Sequence, residues 1–232
     1  MMLFQPTKGY RYNSDTLVLY DFISSFTPKG KLLDVGCGCG ILALLLKRDF
    51  PSLEVHALDI QKDNCTLTKA NAQHNALALE SLTCKDFLTA PFEFLYDIIV
   101  SNPPFYHEGS CKSENEHLHV SRYSAHLPFD AFAKKVSKSL SNRGYFIFCY
   151  DAKQIQTLMV GLENAGLRVE NLCFVHSKEE NDASLVLIRA RKNSKSVCKI
   201  HPPHIVSTAL GYTAKMHAIF EKSNTKSLQW KD

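Results

Sequence analysis

The chain has 232 residues, of which 45% are hydrophobic and 22% charged, with a formal net charge of +4. That is the length of one domain, or of one domain with a small appendage, and it suffices to bury a core without disulfides or structural metals. The composition excludes a wholly disordered chain, a coiled coil and a collagen-like fibre. The mild basicity permits a polyanionic partner without demanding one. No apolar run reaches membrane-spanning length, because Ile41–Leu46 stops at Lys47 and Arg48. The first residues lack a basic segment followed by an apolar one, so no secretion signal and a cytoplasmic location are expected. The 8 cysteines are scattered without a Cys-x-x-Cys pair, which favours reduced thiols over a zinc framework.

In chain order, residues 1–28 read as an extension: a short extended piece, then a helix from about Asp15 to Phe26 with Ser14 as its cap. Lys31–Val35 reads as a buried strand, followed by a glycine-rich turn and a helix through roughly Arg48. Glu54–Asp59 is a second strand, Lys62 to about Asn75 a helix, Ser81–Cys84 a third strand, and Tyr96–Ser101 a fourth. The polar stretch 106–127 has no clean periodicity, and loops of that length are usually functional or disordered. Phe129–Leu140 reads as a helix and Tyr145–Tyr150 as a fifth strand. Asp151 caps a helix to about Ala165, closed by Gly166, before strand-like runs at Leu167–Val175 and Ser184–Ala190. This alternation predicts an α/β layer architecture with a core over 29–191. Residues 192–232 form an appendage, and from Arg189 onward nine Lys or Arg face only Glu221 and Asp232.

Asp34-Val35-Gly36-Cys37-Gly38-Cys39-Gly40 follows an apolar strand and opens a helix. Its glycines allow a tight turn and close approach of a ligand to the main chain. The spacing is not that of dinucleotide binders, and Asp34 puts negative charge where a pyrophosphate would sit. A ligand with an amino group and no phosphate is favoured, and S-adenosylmethionine fits through its ammonium and sulfonium. Asp59 ends the second strand 25 residues after Asp34, where a carboxylate can accept from both ribose hydroxyls. Asp86 and Phe87, after the third strand, offer an acceptor for an adenine amine and an apolar wall.

Asn102-Pro103-Pro104-Phe105 follows the fourth strand, and ligands of open α/β sheets bind outside the carboxyl ends of strands. Two prolines stiffen the turn, so the Asn side-chain oxygen and a proline carbonyl can aim at one point. An exocyclic base amine conjugated with its ring is a poor nucleophile. Two acceptors on its hydrogens favour the tetrahedral nitrogen that attacks a sulfonium methyl. Phe105 or Tyr106 can stack on the base, and much of the acceleration would be positioning.

Three segments, Gln5–Leu19, Leu33–Leu44 and Tyr96–Tyr106, carry a resemblance. The chain resembles the class I, Rossmann-like S-adenosylmethionine-dependent methyltransferases with an Asn-Pro-Pro-Phe/Tyr motif. More narrowly it is similar to the bacterial tRNA (adenine-N6) methyltransferases that modify valine tRNA beside the anticodon. The resemblance implies a seven-stranded, mostly parallel sheet with helices on both faces. It implies that the segment with Tyr10, Asp15 and Thr16 lids the cofactor, and that Asp34, Gly36, Gly38 and Gly40 hold the methionyl part. Asp59 and the adjoining Ile60 would hold the ribose end, Asp86 and Phe87 the adenine, and Asn102, Pro103, Pro104 and Phe105 the target base. Cys37 and Cys39 depart from the small residues usual in that loop, and similarity fades beyond about residue 190.

For substrate, Phe105, Tyr106, Arg122, Arg189, Arg191 and Lys192 are candidate contacts. The Arg189–Lys199 run stays open between phosphate contact and a solvated strand end. His107, Cys111, His117 and His119 fit no zinc spacing, so no metal is expected. The expected partner is tRNA, with no membrane and a monomeric protein. The alternatives are methylation of an adenine or guanine amine in ribosomal RNA, a protein glutamine-N5 methyltransferase, and a non-catalytic RNA-binding module. Glutamine methyltransferases carry a helical domain before the glycine loop, for which Gly36 leaves no room, and intact Asp34, Asp59 and Asn102 argue against the binding module.

Overall fold

A computed structural model of the protein describes residues 1–5, 12–103 and 129–230. The elements up to the fifth strand are β1 (Met2–Gln5), α1 (Ser14–Ser24), β2 (Lys31–Val35), α2 (Ile41–Asp49), β3 (Glu54–Asp59), α3 (Lys62–His74), β4 (Ser81–Cys84) and β5 (Tyr96–Ser101). Then come α4 (Phe129–Ser139), β6 (Leu140–Asp151), a 3₁₀ turn at Ala152–Gln154, α5 (Ile155–Asn164), β7 (Leu167–His176) and β8 (Ala183–Lys192). The seven-stranded frame runs β4-β3-β2-β5-β6-β8-β7, parallel up to β6, with β8 antiparallel to both its neighbours. All seven expected strands are present. Two short strands, β9 (Lys199–Ile200) and β10 (His204–Ile205), add to the outer edge of β7 and bring the sheet to nine.

Strands buried on both faces read as continuous apolar runs, because helices cover each side. Leu32, Val55, Ala57, Ile98 and Val100 pack with α1 and α2 on one face, whereas Leu33, Val35, Leu58, Ile99, Phe146 and Phe148 pack with α4 and α5 on the other. Six consecutive residues of α2, Ile41–Leu46, are buried. A helix apolar on every side belongs in an interior layer, and α1 lies against it within the same core.

Two boundaries differ from expectation. Asn13, not Ser14, caps α1, its side chain accepting from the Asp15 N–H at 3.1 Å. Strand β6 begins at Leu140 rather than Tyr145, since Leu140 pairs with Tyr96 before a register shift brings Tyr145 opposite Ile98. Arg143 adopts a left-handed φ of 66° within that irregularity.

The two ends of the chain meet. β13 (Lys226–Gln229) pairs in parallel with β1, and the helix before it, α6 (Ala214–Ser223), buries Met216 and Ile219 in the α1–α2 core. Between β10 and α6 a small hairpin joins β11 (Ser207–Thr208) to β12 (Gly211–Tyr212). Helix α3 grips β1 as a neighbouring strand would. Asn71 accepts from the Phe4 N–H at 2.6 Å and donates to the Phe4 carbonyl at 3.0 Å. Asn75 repeats the pattern on Met2 at 3.0 and 2.6 Å. Asn71 also donates to the Cys39 carbonyl at 2.8 Å, so the glycine turn and the terminal ribbon share one fully buried amide. Asn71→Ala therefore strands buried backbone groups at both sites. A destabilisation of about 2–4 kcal/mol is expected, measured by urea unfolding against the parent protein.

Candidate cofactor and base site

The site is assembled at the carboxyl ends of β2, β3 and β5. After Val35 the chain turns back under its neighbour, and the Gly36 and Cys37 N–H groups donate to the Leu58 carbonyl at 2.8 and 3.1 Å. Gly38 has a φ of +56° and an added Cβ would meet nothing within 4 Å, so the turn presents bare backbone on that side. Gly40 has a φ of +81° and sits against Thr68, whose Cγ2 would lie 2.8 Å from an added Cβ. A side chain there is both strained and obstructed. Thr68 donates to the Gly38 carbonyl at 2.8 Å, so α3 holds the turn at Thr68 and again at Asn71. Cys37 and Cys39 are both buried within the turn, and every cysteine among the described residues is a free thiol. Burial pushes the Cys37 thiol well up.

Two carboxylates flank the turn. Asp34 is 1% exposed and its Oδ2 accepts from the Ala43 N–H, in the first turn of α2, at 3.2 Å. Its pKa is pushed up to about 7, chiefly by burial, with the nearby Asp59 charge adding to the rise and the Ala43 hydrogen bond opposing it. Asp59 takes the Gly38 N–H on Oδ2 at 2.9 Å and the Gln61 N–H on Oδ1 at 2.8 Å. Beside it Ile60 is 46% exposed, a large apolar side chain facing solvent at the strand end. The Cys65 and Cys84 thiols donate to the Asp59 and Ile60 carbonyls at 3.6 and 3.8 Å, fixing this corner from the α3 and β4 sides.

Asp86 caps the next turn, accepting from the Leu88 N–H at 2.9 Å. Phe87 is the residue expected to wall the adenine. It is 3% exposed, with its ring 5.8 and 5.4 Å from those of Phe92 and Phe132, and belongs to the core. Ile60 is left as the exposed apolar side chain at that corner.

Asn102 leaves β5 beside the first turn of α1. Its Nδ2 donates to Thr16 Oγ1 at 2.8 Å, and the preceding Ser101 donates to the Val35 carbonyl at 2.8 Å. The ends of β2 and β5 and the start of α1 are thereby joined, with Pro103 buried next in line. Asp15 adjoins them, taking the Asn13 amide at 2.7 Å. Tyr10, Pro104, Phe105, Tyr106 and Arg122 lie outside the described residues, as do His107, Cys111, His117 and His119. Among the described residues no group of three or more His, Cys, Asp or Glu could hold a metal.

The structure does not bring Arg189, Arg191 and Lys192 to this site. Asp151 at the carboxyl end of β6 faces Leu185, whereas Tyr145, midway along the strand, faces Arg191. The separation along the strand is roughly 20 Å. Arg189 lies 3.6 Å from Glu170, with its guanidinium 4.4 and 3.8 Å from the ring centroids of Phe26 and Tyr145. Arg191 lies 3.4 Å from the same carboxylate, and Lys192 donates to the Leu140 carbonyl at 3.0 Å. Sequence reasoning missed Thr68, Asn71 and Ser101. The one available signal for the first two was a pair of polar residues three apart on the apolar face of α3.

The methyltransferase small domain family matches residues 13–126, which contain the glycine turn, both carboxylates and Asn102. The fold agrees: a putative class I S-adenosylmethionine-dependent methyltransferase from Listeria monocytogenes superposes with a TM-score of 0.62 at 13% identity, over 93% of this chain and 73% of that one. The fold is that of the class I, Rossmann-like, S-adenosylmethionine-dependent methyltransferases, and residues 13–126 match the methyltransferase small domain family. Within that class it is similar to the tRNA1(Val) (adenine(37)-N6)-methyltransferase of Vibrio campbellii, at 26% identity over 88% of this chain and 84% of that protein. It is also similar to the ribosomal RNA small subunit methyltransferase C of Acinetobacter baylyi, at 36% identity over 46% of this chain and 34% of that protein.

Asp34 binds a proton more tightly folded than unfolded, so its contribution to stability falls as pH rises from about 4 to about 7. Asp34→Asn is expected to remove that fall, leaving the ligand-free variant more stable than the parent at pH 8. Thermal melting of both proteins across pH 4–8 checks it.

Proposed function

We propose that the protein methylates the exocyclic N6 amine of an adenine in tRNA, namely the adenine 3′ of the anticodon in valine tRNA. The observation that carries this reading is the commitment of Asn102 Nδ2 to Thr16, with no hydrogen bond to the Asn102 carbonyl oxygen among the described residues. The similarity to the Vibrio campbellii protein supports the choice of tRNA.

The residues present fit S-adenosylmethionine. Asp34 is a buried carboxylate with no ion-pair partner among the described residues, and it suits a ligand ammonium. A cation beside it favours the charged carboxylate and lowers its pKa. Asp59 keeps lone pairs that would accept from two ribose hydroxyls, the exposed Ile60 would serve the adenine, and the bare face of Gly38 would admit the methionyl part. When bound, the cofactor supplies an electrophilic methyl on a sulfonium whose leaving group is a neutral thioether. Asn102 Oδ1 accepts one N–H of the target amine and draws its lone pair out of conjugation. An amide oxygen takes no proton at neutral pH, so the proton lost from the nitrogen leaves to solvent. An anticodon-loop base is already unpaired, and presenting it avoids unstacking a duplex. The tail from residue 192 and the stretch 106–127 are the segments proposed to meet the RNA. No helix among the described residues is long and apolar enough to cross a membrane.

A second reading, an amine of ribosomal RNA, is favoured by the similarity to the Acinetobacter baylyi protein. The test supplies labelled S-adenosylmethionine and RNA from cells lacking the gene, followed by nucleoside mass spectrometry. N6-methyladenosine is expected in the tRNA fraction with the parent protein and is expected to vanish with Asn102→Ala. Label in ribosomal RNA replaces the substrate, and full activity of Asn102→Ala contradicts the mechanism.

A further inference from the structure

An asparagine amide turned by half a rotation presents a carbonyl oxygen or an NH₂ to its ligand. Only the first is useful to a base amine, whose hydrogens need acceptors, so something must hold Asn102 against that turn. Thr16 is placed to do so. It stands in the first turn of α1, 86 residues upstream, and is 4% exposed, with Oγ1 2.8 Å from Asn102 Nδ2.

Both backbones are anchored independently of this contact. Asn13 caps the helix, and Leu17, Val18, Leu19 and Tyr20, which follow Thr16, are buried in the core. On the other side Ser101 is tied to Val35 and Pro103 is buried. The Thr16 side chain is branched at Cβ, so its hydroxyl has few positions to occupy. The hydrogen bond therefore links two anchored elements, and turning the amide would require the Thr16 hydroxyl to change from acceptor to donor.

We infer that Thr16 is a positioning residue for methyl transfer: it holds the Asn102 amide with Oδ1 toward the target amine. This inference rests on the role proposed for Asn102 and adds to the cofactor-lid role implied for Thr16 by resemblance. The two roles separate by kinetics. An aligning residue affects the chemical step, whereas a cofactor ligand affects cofactor affinity.

Thr16→Val keeps the shape and removes the hydroxyl; Thr16→Ser keeps the hydroxyl. For Thr16→Val, kcat on tRNA is expected to fall about 10- to 100-fold, the scale of a misaligned reacting group. The calorimetric Kd for S-adenosylmethionine and the KM for tRNA should stay within about threefold of the parent, and Thr16→Ser should restore most of kcat. Weakened cofactor binding with kcat intact at saturating cofactor overturns the inference and leaves Thr16 as a cofactor ligand. Equal loss in Thr16→Val and Thr16→Ser overturns it too. Asn102→Ala, run in parallel, separates the two levels. An inactive Asn102→Ala beside a fully active Thr16→Val refutes only the positioning role. An active Asn102→Ala refutes the reading beneath it.

Discussion

Asp34 and Asp59 stand buried at the ends of adjacent parallel strands, and among the described residues neither has an ion-pair partner. Burying a carboxylate without a counter-charge is unfavourable, and the group responds by holding a proton, as Asp34 does with a pKa near 7. The Ala43 N–H at the start of α2 offsets part of that penalty. A well-packed core would not keep such a group, and real proteins break local rules of this kind at functional sites. The site thus stores a demand for positive charge, which the proposed ligand ammonium would meet.

Much of the remaining structure holds that corner in shape. The turn after β2 is tied to β3 through Leu58, to α3 through Thr68 and Asn71, and to β5 through Ser101. Asn71 extends the connection to β1, which β13 secures from the far end of the sequence. Arg48 of α2 reaches the Ser223 carbonyl at 2.6 Å, and Lys222 reaches Asp21 at 2.9 Å, so the tail helix is pinned to both helices beneath it. Sequence distant from the chemistry therefore supports the backbone on which the chemistry depends.

The frame was legible because its signals are local. β2, β3, β4 and β5 fall on the expected residues, since each is a short apolar run between turn-formers. Asp34, Asp59 and Asn102 stood out for a related reason: each lies at the carboxyl end of such a strand. What was not legible depends on partners far away in sequence. β9, β10 and β13 are two to four residues long and exist through pairing with β7 and β1. Arg189 and Arg191 looked like free charge, but Glu170 on the neighbouring strand and the ring of Tyr145 take up both. The ring contacts of Phe87 with Phe92 and Phe132 were likewise not readable from sequence. The bond from Thr16 to Asn102 was invisible in sequence because neither residue marks the other.

The charge demand of Asp34 is tested most directly by the protons exchanged on cofactor binding. Calorimetric titration of S-adenosylmethionine in buffers of different ionisation enthalpy gives that number. With a ligand-free pKa of about 7, binding at pH 6.5 should release most of one proton from Asp34, and the release should fade by about pH 8.5. Asp34→Asn should abolish this component. Proton release that is zero at pH 6.5, or the same in Asp34→Asn, would contradict the account.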